Sequence, residues 1–276
     1  MLPTLGCALF VHELEAMQDF WREPARDIEL QDFIRPDILA GDWRPIADRA
    51  RRLLDGHAGR WGIHGPFVGF TLSAADPDVR AVIHRRMDQA LDVCEALGGT
   101  HLVVHSPLTI WDDHNLNYWP NARERLFDTI EANLAPAAKR AAAIGVTIVI
   151  ENVEDCEPAF RLAVAHSLGP SVKVSLDTGH ANYVHHMHGA PAVDYYVRAA
   201  GRDLAHVHLQ DTDGYADRHW PPGDGNVPWR QVFAALMHET ALDGGEGERP
   251  RLIVELKDKS GLAAAVRHLE SLGVAR

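Results

Sequence analysis

The segment 146–151, VTIVIE, is the part of the sequence that decides the predicted fold. Its first five residues are apolar or β-branched, and its last residue is Glu151. A run without polar alternation is typical of a parallel strand that is covered on both faces. The same six residues therefore predict a buried strand and a carboxylate at the carboxyl end of that strand.

Seven more segments of this kind predict strands elsewhere in the chain. They lie at residues 5–11, 27–33, 60–65, 100–106, 172–177, 204–210 and 251–256. Eight strands that alternate with helices, or with room for a helix, predict a single (β/α)8 TIM barrel covering residues 1–276 as one domain. A doubly wound sheet is less favoured, because no glycine-rich phosphate turn follows the first strand.

Helical segments with recognisable ends separate several of these strands. Asp76 stands before a proline and a run of apolar residues at helical spacing, so it is a predicted N-cap. Residues 122–144 have the same periodicity and stop at Gly145. Residues 260–272 form another predicted helix, with Ser260 as its cap.

The chain is acidic and rich in histidine. It has 276 residues, with 39 acidic and 27 basic side chains, a formal net charge of −12 and 17 histidines. This balance excludes a simple electrostatic hold on DNA or on an anionic membrane, which needs a clustered basic surface. Cys7, Cys94 and Cys156 cannot form a closed disulfide framework, and no signal peptide is recognised at the N-terminus. We therefore expect a cytoplasmic protein without a membrane or nucleic-acid partner.

Six consecutive predicted strands, the third through the eighth, deliver a metal-ligand side chain at the carboxyl end, where barrels carry their function. A lone histidine or acid at such a place is more often a packing or capping residue, so the prediction rests on their joint occurrence. Imidazole and carboxylate together suit zinc, manganese, iron or cobalt, whereas magnesium and calcium prefer oxygen alone. The strand-end residues and two more from the loop after the seventh strand are His64, His105, Glu151, Asp177, His180, His208, Asp217, His219 and Glu255.

From about residue 60 to residue 256, the chain resembles the xylose-isomerase-like TIM-barrel superfamily. That superfamily contains sugar isomerases and epimerases, related dehydratases, and AP endonucleases. The resemblance to its epimerase-like members implies that one divalent metal is held by Glu151, Asp177, His208 and Glu255. It also implies that the two glutamates shuttle a proton at the carbon beside a carbonyl, and that His180 contacts the substrate.

The resemblance to the nuclease branch implies a larger metal centre. Its trinuclear zinc centre uses further histidines, matched here by His64 and His105, and a D-R-H motif matched by residues 217–219. His180 is then a ligand as well. The resemblance thus implies one to three divalent ions per chain, with zinc or manganese favoured.

We therefore expect a metal-dependent isomerase or epimerase that acts on a small carbohydrate, a polyol or a phosphorylated sugar. The alternative is a phosphodiesterase or AP-endonuclease-like hydrolase with two or three metal ions, and a lyase, dehydratase or non-catalytic metal binder ranks third. Clustered metals suit phosphodiester hydrolysis. However, the acidic chain has no evident basic stripe for DNA. A homo-oligomer is compatible with the sequence.

Two further residues are candidates for substrate binding. Trp111 lies in the segment 107–121, PLTIWDDHNLNYWPN, whose aromatic and amide side chains suit stacking on sugars and bonding to their hydroxyls. An ordered surface loop is the competing interpretation of this segment. Arg218 is the candidate to bind a phosphate or carboxylate on the substrate.

Overall fold

A computed structural model describes residues 2–244 and 247–276. Eight parallel strands pair in chain order, and the eighth pairs with the first to close the barrel. This confirms the predicted (β/α)8 architecture, and each predicted strand has a counterpart. The strands are β1 (Gly6–Leu9), β2 (Ile28–Leu30), β3 (Trp61–His64), β4 (His101–His105), β5 (Thr147–Glu151), β6 (Val172–Asp177), β7 (Leu204–Leu209) and β8 (Arg251–Val254).

Helices surround the barrel and connect its strands. In the described part of the chain they are α1 (Val11–Ala16), α2 (Gln18–Arg22), α3 (Pro36–Ala40), α4 (Arg44–Leu54), α5 (Pro77–Leu97), α6 (Ile110–Asn115), α7 (Ala122–Ile144), α8 (Pro158–Leu168), α9 (Thr178–His188), α10 (Val193–Ala200), α11 (Trp229–Glu239) and α12 (Leu262–Ser271). Their apolar faces pack against the outside of the strands, and the buried side chains form one continuous cluster. Across residues 2–244 and 247–276, no helix has the length and apolar character needed to span a bilayer.

Two of the three predicted helix ends are as expected. The side chain of Asp76 accepts hydrogen bonds from the backbone N–H groups of Asp78 (2.8 Å) and Val79 (3.3 Å), so it caps α5. Gly145 ends α7 in the left-handed region, with φ of 72°. The prediction that Ser260 caps the last helix is wrong. Asp258 instead accepts the Ser260 N–H at 3.0 Å and opens a 3-10 turn, after which α12 begins.

The strand register determines which side chains become neighbours at the carboxyl end of the barrel. His105 of β4 pairs with Glu151 of β5, and Asp177 of β6 pairs with His208 of β7. A register shift between Val174 and the next residue of β6 precedes the second of these pairs. Residues from β4 to β7 therefore meet at one end of the barrel.

Candidate metal centre

Three carboxylates and one imidazole converge at the carboxyl end of the barrel. One ligand atom from each of Glu151, Asp177, His208 and Glu255 lies within 4.8 Å of the others. Nδ1 of His208 is 2.7 Å from a carboxylate oxygen of Glu151 and 3.3 Å from one of Glu255. All four side chains are buried. The ends of β5, β6 and β7 and the residue after β8 thus supply one compact group, which we call the central group.

The central group fits a divalent cation. Oε2 of Glu151 and Oδ2 of Asp177 are buried and have no hydrogen-bond partner in the structure. A buried carboxylate oxygen without a hydrogen-bond partner is costly, so each of these two oxygens favours a positive charge nearby. A donor set of three carboxylates and one imidazole suits zinc, manganese or iron.

The pKa values of the central group reflect this crowding of like charges. Burial raises the pKa of Asp177 to about 6; the neighbouring His180 opposes the rise and Glu151 adds to it. Burial on its own would lower the pKa of His208. The carboxylates of Glu255, Glu29 and Glu151 outweigh burial and hold that pKa well above its usual range. The group therefore attracts positive charge, whether a proton or a metal ion.

Two outer groups flank the central group. The first joins His64 and His105 to Glu151, with Nε2 of the two histidines 3.5 Å and 3.7 Å from Oε2 of the glutamate. The second consists of His180, Asp217 and His219, in which Nε2 of His180 lies 3.4 Å from the Asp217 carboxylate. The structure therefore brings all nine predicted ligand residues into three adjoining groups. Glu151 is shared by two of them.

Hydrogen bonds from α9 and β5 orient Asp177 and His180. Oδ1 of Asp177 accepts the backbone N–H of His180 at 2.7 Å, so this aspartate also caps α9. Nδ1 of His180 donates to the carbonyl of Asn152 at 2.9 Å, which leaves Nε2 facing Asp217. The Asn152 side chain also accepts the backbone N–H of Asp177 at 2.8 Å. Backbone partners of this kind fix the tautomer and direction of a metal-binding histidine.

Gln210, which the sequence analysis missed, links two of the groups. Its Nε2 donates to Asp177 (3.1 Å) and to Asp217 (2.9 Å), and its Oε1 accepts the backbone N–H of His219 at 2.9 Å. A Cβ atom at Gly179 would lie 2.3 Å from this side chain, so only glycine leaves room for it. The feature of the sequence that could have identified Gln210 is its position two residues after His208, at the end of the predicted strand 204–210.

Glu29 is a second residue that the sequence analysis missed. It lies in β2, is fully buried, and belongs to a fourth group of metal-ligand type with His101 and His206. Burial would raise the pKa of Glu29, but His208 and these two histidines hold it well below the usual range. Two features of the sequence could have pointed to this group. They are the acid inside the predicted strand 27–33 and the two histidines of the segment HVHL.

The two predicted substrate residues lie at the surface. The guanidinium of Arg218 pairs with the Asp213 carboxylate at 2.9 Å and lies 5.4 Å from the ring centroid of Trp220. Any anion that Arg218 binds must therefore compete with Asp213. Trp111 lies on α6 with 60% of its surface exposed. The segment 107–121 is thus partly helical rather than an irregular loop, and substrate binding by either residue stays a prediction.

A cleft of about 200 Å³ opens beside His105. Phe67 stacks on the His105 ring, with the ring centroids 4.0 Å apart and the planes inclined by 13°. Apolar side chains, among them Phe70, Leu72 and Leu108, form much of its wall. The cleft gives the metal-ligand groups an apolar neighbour on the β3 and β4 side of the barrel mouth.

Comparison with known proteins establishes the family. The profile of xylose isomerase-like TIM barrels matches residues 20–272. The chain belongs to this family. The resemblance read from the sequence is thereby confirmed, and the barrel mouth just described is that of a xylose isomerase-like protein.

Relatives of this xylose isomerase-like chain include an uncharacterised protein of Methanocaldococcus jannaschii and a fructoselysine 3-epimerase of Escherichia coli O157:H7. The first is 24% identical over 66% of this chain and 61% of its own length. The second is 27% identical over 41% of this chain and 42% of its own length. The chain thus spans about three fifths and two fifths of these relatives.

A solved structure of a D-tagatose 3-epimerase-like protein has the same fold as this chain. It has a TM-score of 0.77 and 19% sequence identity, and the match covers 97% of this chain and 96% of that one. At this identity the likeness establishes the barrel.

Proposed function

We propose that this protein is a metal-dependent isomerase or epimerase of a small sugar or polyol, either free or phosphorylated. The observation that carries the proposal is the pair of glutamates that reach the central group from two strands that are not neighbours in the barrel. Glu151 ends β5 and Glu255 follows β8, yet both carboxylates approach the same nitrogen of His208, at 2.7 Å and 3.3 Å. Two carboxylates that face one point from different strands can remove a proton from one side of a carbon and return it on the other.

In this proposal Glu151, Asp177, His208 and Glu255 hold one divalent ion, with zinc or manganese as the favoured metals. The ion supplies Lewis-acid chemistry: it polarises the carbonyl and adjacent hydroxyl of the substrate and so acidifies the neighbouring C–H. The two orphaned carboxylate oxygens of the central group support this assignment.

The two glutamates differ in their surroundings, which suits an exchange of acid and base roles. Burial favours the protonated form of Glu151, but His208 and His64 hold its pKa well below the usual range, so Glu151 is ionised and in the form that a base requires. Glu255 instead accepts a hydrogen bond from the Gln31 amide, whose oxygen accepts from Lys259 at 2.7 Å. One oxygen of Glu255 is therefore held by the amide while the other faces the reaction point.

In the reaction, one glutamate takes the proton from the carbon beside the carbonyl; the electron pair of the broken C–H bond forms a carbon–carbon double bond, and the π pair of the carbonyl moves onto its oxygen. The other glutamate, which carries a proton at the start of the turnover, delivers that proton to the opposite face, so the two glutamates end with exchanged protonation states. The atoms and charges balance, and no oxidant is needed. Delivery to the same carbon inverts its configuration, which gives epimerisation. Delivery to the adjacent carbon, together with transfer of the hydroxyl proton from the neighbouring oxygen to the former carbonyl oxygen, moves the carbonyl, which gives isomerisation.

The relatives and the charge of the chain support a carbohydrate substrate. A relative bears the name fructoselysine 3-epimerase, and a protein with the same fold is described as D-tagatose 3-epimerase-like. The net charge of −12 disfavours a nucleic-acid partner. Residues 1–276 acting as one domain, a cytoplasmic location and a homo-oligomeric state remain predictions that accompany this proposal.

The outer groups favour a second candidate, a multinuclear phosphodiesterase. A centre limited to one ion has no need of four further side chains of metal-ligand type, yet His64 and His105 face Glu151 and His219 faces Glu255. Asp217 lies beside His219 and His180. Clustered ions activate water and stabilise both the attacking and leaving oxygens of a phosphodiester. In that case the chain binds two or three ions.

A parallel assay separates the two candidates. The protein, purified without added metal, is analysed for bound metal and then reconstituted with Zn²⁺ or Mn²⁺. It is incubated in D₂O with a panel of ketoses and, separately, with bis(p-nitrophenyl) phosphate and an abasic-site oligonucleotide. We expect deuterium to enter the carbon beside the ketose carbonyl, with about one equivalent of metal bound. Phosphodiester cleavage without deuterium exchange, and two or three equivalents of metal, would favour the hydrolase instead.

A further inference from the structure

Glu29 lies on the side of His208 that faces away from the central group. One oxygen of its carboxylate, Oε1, is 3.0 Å from Nε2 of His208. The other ring nitrogen, Nδ1, faces Glu151 at 2.7 Å and Glu255 at 3.3 Å. The imidazole of His208 is therefore placed between a carboxylate of β2 and the group that we propose holds the metal.

The second oxygen of Glu29 is surrounded by two other imidazoles. Nε2 of His206 lies 3.0 Å from this oxygen, and Nε2 of His101 lies 3.8 Å from it. Nδ1 of His206 in turn lies 2.8 Å from the Ser175 hydroxyl. All of these side chains are fully buried. The carboxylate is thus enclosed in the barrel interior, which keeps Oε1 directed at His208.

We propose that Glu29 is a positioning residue that fixes the orientation of His208 and keeps its proton on Nε2 when a metal ion binds. A neutral imidazole has one N–H and one lone pair. If Nε2–H donates to Glu29, the lone pair is on Nδ1, which faces the central group. A carboxylate behind a metal-binding imidazole also raises its basicity. This inference rests on the proposed metal centre but not on the isomerase chemistry.

A competing interpretation is that Glu29, His101 and His206 hold an ion of their own, since their ligand atoms also lie within 4.8 Å of one another. Such an ion would meet Oε2 of Glu29 and Nε2 of His101 and His206, which have no hydrogen-bond partner in the structure, and it would leave Oε1 of Glu29 in its contact with His208. We therefore assign the group to positioning and make the additional ion an outcome of the test.

The test measures metal affinity in the full chain with Co²⁺ and Zn²⁺ as the probes. Metal-free wild-type protein and Glu29→Gln are titrated with Co²⁺, followed by its visible absorption, and then with Zn²⁺ in competition with a chelator. We expect Glu29→Gln to bind both ions about 10- to 100-fold more weakly. Asp155→Asn is the matched control. It removes another buried carboxylate, which accepts from Ser106 at 2.7 Å, and leaves the affinity unchanged.

A second measurement uses the wild-type protein alone and so does not depend on the variant folding. In the zinc-loaded protein with ¹⁵N-labelled histidine, we expect His208 to show a protonated Nε2 and a metal-bound Nδ1. If Glu29 had only a structural role, it would not determine which nitrogen of His208 carries the proton and which nitrogen binds zinc.

Several results overturn the assignment. One is unchanged affinity in Glu29→Gln, and another is His208 bound to zinc through Nε2. A third is an additional metal equivalent that is lost in His101→Gln, because Glu29 would then be a ligand itself. Wild-type protein that binds neither ion overturns this proposal together with the metal centre. Wild-type protein that binds the ions but converts no sugar overturns only the proposed activity.

Discussion

The two ends of the barrel differ in how their charged side chains are paired. At the amino end, Asp27 before β2 pairs with Arg60 before β3 at 2.5 Å. Arg60 also contacts Glu248 at 3.0 Å, and Glu248 pairs with Arg251 of β8 at 3.1 Å. These acids have basic partners within the chain. At the carboxyl end, the central group gathers three carboxylates around one imidazole.

This difference indicates that the charges at the amino end contribute to stability and that those at the carboxyl end contribute to function. Paired charges at the amino end need nothing from outside and tie three strand beginnings together. Crowded carboxylates at the carboxyl end reduce the stability of the folded state until a cation joins them, because buried like charges repel. Barrels place their chemistry at the carboxyl end.

Removing either glutamate of the central group is expected to have the largest effect. Glu151→Gln and Glu255→Gln preserve shape but lose the ability to take up a proton. We expect each to lower the turnover number for sugar conversion by about 10²- to 10⁴-fold, the range of a general base. The readout is kcat on the substrate found by deuterium exchange, with circular dichroism as a check of folding. Full activity in both variants would contradict the proton-shuttle proposal.

Added metal is expected to stabilise the wild-type protein through its carboxyl end. At a free Zn²⁺ concentration 100 times Kd, the free energy of unfolding should rise by about 2.7 kcal/mol. Asp177→Asn should lose most of this gain. Without metal, that variant should be at least as stable as the wild type, because it removes one crowded carboxylate while an amide oxygen can still cap α9. Urea unfolding with Zn²⁺ or with a chelator measures both effects. Equal stabilisation of the two proteins would place the ion elsewhere.

At the amino end of the barrel, removing a carboxylate is expected to lower the free energy of unfolding, in contrast to Asp177→Asn at the carboxyl end. Asp27→Asn removes the charged partner of Arg60, whose side chain is 31% exposed, and should cost about 1–3 kcal/mol of unfolding free energy at pH 7. Sugar conversion should be unchanged. Asp37→Asn, at an ion pair with Arg35 on the open surface, is the matched control and should have little effect.

The cost of Asp27→Asn should depend on pH with a defined sign. Burial raises the pKa of Asp27, but the hydrogen bonds and charge of Arg60 outweigh it and lower the pKa below the usual value. A lowered pKa in the folded state contributes stability at pH values above the unfolded pKa. That contribution is lost as the pH falls through the lowered value. The difference between wild type and variant in urea unfolding should therefore shrink in acid. A difference that grows in acid would rule out this pairing as its source.

The sequence was sufficient to identify the side chains that gather at the barrel mouth, but not the residues that support them. The run ending in Glu151 identifies a strand and its carboxyl end, and a closed barrel brings all such ends to one mouth, whatever their separation in sequence. Glu29 and Gln210 were not recognisable in this way. Their roles depend on which side chain faces inward in a given register and on partners from distant strands. The Ser260 cap failed for a local reason, because Asp258 accepts both the backbone N–H and the hydroxyl of Ser260, so the hydroxyl donates instead of accepting from the helix.

The smallest expected effect is that of replacing Trp111. This substitution tests whether substrate binding at the carboxyl end of the barrel involves residues other than the charged groups. Trp111 and Trp119 belong to the same segment after β4 and are similarly exposed, at 60% and 62%. If Trp111 stacks on the sugar, Trp111→Ala should raise KM about 2- to 10-fold without changing kcat, since an aromatic contact is worth about 0.5–1.5 kcal/mol. Trp119→Ala is the matched control and should leave KM unchanged. Equal increases in KM would mean that the segment acts as a whole, whereas no increase in either variant would confine substrate recognition to the groups at the strand ends.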